Sequence, residues 1–75
     1  MNKDRRTKLR NILSQLTEIQ KLIENVKLEE ELALDGMPEN LQGSDRASQM
    51  EDNLDEFDNA IGYLDDALES LRCID

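Results

Sequence analysis

Apolar residues recur through the second half of the chain at alternating intervals of three and four. Ala47, Met50, Leu54, Phe57, Ile61, Leu64, Leu68 and Leu71 follow that rhythm without a break. A helix returns to one face every ~3.6 residues, so the spacing predicts a long helix with a coiled-coil seam. A strand would need period-two alternation, which is absent. The neighbouring column Asn53, Ala60 and Ala67 is small and leaves room for another helix on that side.

The first half repeats the pattern less strictly. Leu9, Ile12, Leu16, Ile19, Ile23 and Val26 are assigned to its seam, and Leu13 and Leu22 widen the stripe. The next seam positions would be Glu30 and Ala33, so the stripe fades. Leu28, Leu32 and Leu34 then lie off it. Either the helix shifts register near residue 27, or these leucines cover the loop end with Met37 and Leu41. A partner-docking patch is the other reading, because contiguous apolar area at a tip often marks a contact site.

Between the stripes lies Gly36-Met37-Pro38-Glu39-Asn40-Leu41-Gln42-Gly43, with the only proline and two of the three glycines. Gly36 is expected to end the first helix in a left-handed conformation. Ser44 is expected to cap the second, with Asp45 favourable in its first turn. The elements are a helix over 3–35, a linker over 36–43 and a helix over 44–73, in one domain spanning 1–75. So short a connection returns the helices side by side and antiparallel. Both stripes are wider than one contact surface can cover. The predicted fold is therefore all-α: a coiled-coil-like antiparallel hairpin that dimerises into a four-helix bundle. The oligomer interface is expected to use Leu16, Ile19, Ile23, Leu54, Phe57, Ile61, Leu64 and Leu68.

Charge is distributed unevenly. The net charge is −9, yet residues 1–27 sum to +4 and residues 28–75 to −13. Lys3, Arg5, Arg6, Lys8 and Arg10 crowd a helix N-terminus, where the dipole disfavours cations. In an antiparallel hairpin they would lie beside Asp65, Asp66, Glu69 and Asp75. At the loop end Glu29, Glu30 and Glu31 would approach Asp45, Glu51 and Asp52 with little to neutralise them. An acidic surface disfavours direct contact with nucleic acid or anionic lipid and favours a protein partner with a basic face. Glu51, Asp52, Asp55, Glu56, Asp58, Asp65 and Asp66 form the candidate partner face. Glu51, Asp58 and Asp65 recur every seven residues, about 10.5 Å along a helix, so the row could also mimic a polyanion.

Catalytic chemistry finds no foothold. The chain has no histidine and a single cysteine, Cys73. That excludes an intrachain disulfide, a zinc ribbon, an HExxH protease and a Ser-His-Asp triad. Carboxylate pairs need burial or shielding for acid–base work, and Glu51, Asp52, Asp55, Glu56, Asp58, Asp65 and Asp66 fall outside the seam on a solvated face. An EF-hand starting at Asp52 fails, because Leu54 and Phe57 stand at its third and sixth positions. No phosphate-binding loop is present. No cofactor and no enzymatic activity are expected. No apolar run is long enough for a membrane span, and basic Met1 to Arg10 is not followed by a signal-peptide apolar region. Cytoplasmic localisation is expected. Close approach of a neighbouring helix is one explanation for Gly62 inside the second helix, and Tyr63 beside it either packs across an oligomer interface or has no role.

The linker Asp35 to Arg46, with its Met-Pro-Glu-Asn-Leu-Gln core, precedes Asp52-Asn53-Leu54 and Leu64-Asp65-Asp66-Ala67. Together these resemble a group of small acidic two-helix proteins of unknown function from bacteriophages and other mobile elements. The resemblance implies a helical hairpin, a phage or mobile-element context in the host cytoplasm, and no catalytic residues. The expected function is a non-enzymatic, self-associating interaction module that binds a basic-surfaced protein as a regulator or inhibitor. The alternatives are a nucleic-acid mimic blocking a DNA- or RNA-binding protein, and a purely structural assembly element.

Overall fold

A computed structural model describes residues 1–74 and contains two long helices and one short turn. Helix α1 spans Lys3–Asp35 and helix α2 spans Asp45–Arg72, with a 3₁₀ turn at Glu39–Leu41 between them. Local capping chemistry starts both helices. Asn2 is extended, and its side-chain oxygen accepts from the Arg5 N–H at 2.8 Å. Ser44 is extended as well and accepts from the Ala47 N–H at 3.3 Å. Each cap satisfies an N–H that a helix start leaves without an intrahelical partner, and Asp4 and Asp45 favour the positive dipole end. Because Ser44 is the cap, α2 proper begins one residue later than the spacing suggested.

The linker departs from expectation at Gly36. Its φ of −82° and ψ of 0° are right-handed, and no described residue has a positive φ. The helix end instead tightens into a turn: the Met37 N–H donates to the Leu34 carbonyl at 3.2 Å. Pro38, at φ −56° and ψ 143°, then redirects the chain and starts the 3₁₀ turn. Proline supplies the break, so no left-handed residue is needed.

The helices pack antiparallel, as three cross-helix polar contacts prove by their order. Gln20 meets Asp65, Lys27 meets Asp58, and Glu30 meets Asn53. Rising numbers in α1 pair with falling numbers in α2. The result is a rod of 60 × 15 × 11 Å with a radius of gyration of 17.4 Å. A compact chain of this length would have a radius near 11 Å. The interior is correspondingly thin. Among the described residues only Ala47, Met50 and Leu68 are buried; Leu54, Phe57, Ile61, Leu64 and Leu71 are half-buried. All eight predicted seam residues of α2 thus face α1.

The α1 seam differs from its assignment. Leu9, Leu16 and Ile23 face α2 as expected, but Ile12, Ile19 and Val26 are exposed. Their places are taken by Leu13, Gln20 and Lys27, and the half-buried line continues through Glu30 and Leu34. A straight α-helix drifts by about 20° per heptad against a strict seven-residue repeat. Here, however, the offset is present from the first heptad, with Ile12 at 46% exposure and Leu13 half-buried, so the whole 12-19-26 column lies outside and the 13-20-27-34 column inside. Leu34 and Met37 help close the loop end, whereas Leu28, Leu32 and Leu41 stay exposed.

Gly62 is also not where a neighbour crowds the backbone: a Cβ there would meet nothing within 4 Å. Glycine in a helix interior costs about 0.5–1 kcal/mol relative to alanine. Gly62→Ala is therefore expected to raise the melting temperature by a few degrees in a circular dichroism melt. A lower melting temperature would show that another surface closes on this position.

Candidate functional site

The two long sides of the rod differ in chemistry. One side is polar and closed. The Gln20 amide nitrogen donates to the Ile61 carbonyl at 3.2 Å and to the Asp65 carboxylate at 2.6 Å. Lys27 bridges Asp58 at 2.5 Å and Glu31 at 3.5 Å. The Asp58 hydrogen bond outweighs partial desolvation and, with smaller help from Glu31, holds the Lys27 ammonium above its usual 10.5. The Lys27 ammonium thus stays charged through neutral pH, and the stability its raised pKa contributes is lost as pH rises past the ordinary lysine range. Asp58 remains largely exposed, so this bridge fixes alignment more than it adds stability.

The other side is apolar and open. Here the Asn53 amide nitrogen donates to Glu30 at 3.1 Å. Glu30, Asn53, Glu56, Phe57 and Ala60 line a shallow groove, which continues past Val26 and Glu29, so three carboxylates border its apolar floor. Ile12, Ile19 and Val26 border the same side at 46%, 46% and 48% exposure. Asn53 and Ala60 are half-buried and Ala67 is exposed, so the small column leaves a trough beside the isoleucines.

Of the residues assigned to an oligomer interface, Leu16, Ile23, Leu54, Phe57, Ile61, Leu64 and Leu68 lie in the intrachain seam, and only Ile19 points away from it. The acidic residues Glu51, Asp52, Asp55, Glu56, Asp58, Asp65 and Asp66 are all exposed. Asp58 and Asp65 are engaged by Lys27 and Gln20; among the described residues the other five make no ion pair. Between Ala47 and Leu71, α2 carries no basic residue that could neutralise them.

The expected charge pairing at the open end does not form among the described residues; Asp75 lies outside them. The ion pairs there and elsewhere within α1 are local, Lys8 with Asp4 at 3.1 Å and Lys21 with Glu18 at 3.4 Å. Arg6, Arg10 and Arg72 instead surround a groove floored by Leu9, Leu13, Leu71 and Ile74. Sequence reasoning missed this convergence. The signal was present in the pairing of Leu9 and Leu13 with the end of α2, which brings Arg72 across to α1.

Among the described residues no cluster of carboxylates and cysteine has metal-site geometry, and no helix is long and apolar enough to cross a membrane. Cys73 caps the end of α2 and is exposed, and Tyr63 is 72% exposed. No family model, curated protein or solved structure matches the chain.

Proposed function

We propose that this chain is a non-enzymatic protein–protein interaction module that self-associates and binds a basic-surfaced protein as a regulator or inhibitor. The observation that carries this reading is the outer face of α2. Glu51, Asp52, Asp55, Glu56 and Asp66 stand exposed on a helix with no interior cation. Unpaired like charges repel one another and destabilise the free chain, whereas a cationic surface would relieve the repulsion. The linker and acidic tract, through their resemblance to small phage proteins, suggest that the partner belongs to a host invaded by a mobile element and that binding occurs in its cytoplasm.

Spacing favours one specific alternative. Carboxylates repeating every heptad, about 10.5 Å apart, could occupy successive phosphate sites of a nucleic-acid-binding cleft. One experiment addresses both. The variant Asp52→Lys, Asp55→Lys, Glu56→Lys, Asp66→Lys spares the engaged Asp58 and Asp65 and should keep the hairpin. It is expected to lose stoichiometric capture of the partner that the parent chain retains. If duplex DNA displaces that partner from the parent chain, the mimicry reading is favoured. Undiminished capture by the variant would refute the acidic-face proposal and leave self-association as the function.

A further inference from the structure

We infer that the open apolar side of the hairpin receives a second copy of this chain in inverted orientation, with α1 lying antiparallel on the partner's α1. The inference rests on the self-association proposed above and specifies its face and direction. Three independent observations support it.

First, the amount of exposed surface fits. The chain exposes 5788 Å², against about 4,700 Å² for a compact protein of its mass. The excess of about 1,100 Å² is somewhat more than the ~800 Å² per partner of a standard stable interface. Second, only one long side is available. Gln20–Asp65 and Lys27–Asp58 contacts occupy the opposite side, while Ile12, Ile19 and Val26 stay about half exposed beside the trough at Ala60 and Ala67.

Third, charge selects the direction. The open end gathers Arg6, Arg10 and Arg72, and the loop end gathers Glu29, Glu31 and Asp35. Two hairpins stacked in the same direction would bring two acidic loop ends together. Inversion separates those ends along the 60 Å rod and sets each against arginines of the other copy. The sequence is already symmetric for this purpose. With the two-fold axis at Ile19, Ile19 meets its own counterpart, Ile12 meets Val26 and Lys8 meets Glu30. Such a self-complementary patch is what a two-fold interface requires.

Disulfide trapping tests the geometry. In a Cys73→Ser background, Ile19→Cys is expected to oxidise to a covalent dimer. Ile12→Cys and Val26→Cys should each stay largely uncrosslinked alone, since like positions would lie about 20 Å apart. Their equimolar mixture should give the mixed covalent dimer as the main product. All three sites are exposed, and unchanged circular dichroism would verify the fold. Ile12→Cys linking to itself as readily as to Val26→Cys would overturn the inverted arrangement. A non-covalent dimer that none of these cysteines traps would overturn the face. A monomeric Cys73→Ser parent at tens of micromolar would overturn self-association itself, and with it this inference.

Discussion

Leu68→Ala is expected to leave the chain mostly unfolded at low micromolar concentration. Leu68 is 2% exposed and is one of three buried residues among those described. Leucine-to-alanine substitutions at such positions cost about 2–5 kcal/mol through lost transfer energy and the cavity left behind. A core in a chain this short supplies roughly 3–5 kcal/mol in total. The two figures nearly cancel, so a single truncation consumes the margin. Far-UV circular dichroism should show most of the helical signal gone at room temperature. Leu28→Ala is the matched control, because Leu28 is 52% exposed and lies neither in the intrachain seam nor on the side of Ile12, Ile19 and Val26. If the two variants melted alike, packing along the seam would not be what holds the hairpin together.

The second large effect is electrostatic. Ile61→Asp would place a carboxylate in the seam, where Ile61 is half-buried and its carbonyl accepts from Gln20. Asp58 and Asp65 stand three residues before and four after it, the spacing at which helix side chains are neighbours. The new charge would be desolvated and repelled from both sides, with Lys27 already engaged by Asp58. Introducing an uncompensated charge in such a place costs about 3–5 kcal/mol. Unfolding is expected at neutral pH, with helix returning as pH falls and the carboxyl protonates. Ile61→Asn lacks the charge and should be distinctly less disruptive. Equal loss in both variants, with no recovery in acid, would mean that shape and not charge decides at this position.

The seam of the second helix was legible in the sequence, and that of the first was not, for a physical reason. In α2 only one line of positions is apolar, so period and packing agree from Ala47 to Leu71. In α1 the apolar stripe is broad, and two adjacent columns compete for the seam. Choosing Ile12, Ile19 and Val26 by hydrophobicity overlooked what Gln20 and Lys27 gain by reaching Asp65, Ile61 and Asp58. Polar residues hold seam positions when the opposing helix offers them partners. With those polar residues in the seam, the greasier column is the one left outside. The linker boundaries were readable from Pro38 and Ser44, but the conformation of Gly36 was not, since turn geometry depends on where proline sends the chain. At the open end, charge counts alone suggested cross-helix pairing. The described side chains place arginines around an apolar groove, a grouping that depends on register rather than composition.

The proposed self-association requires that one hairpin be unable to keep its apolar surface from water without another copy. Sedimentation equilibrium over a dilution series, with circular dichroism on the same samples, tests it most directly. The predicted result is a species of twice the 8.6 kDa chain mass at micromolar concentration, losing helix as dilution separates the copies. A fully helical single chain, unchanged in mass and signal throughout the series, would contradict it.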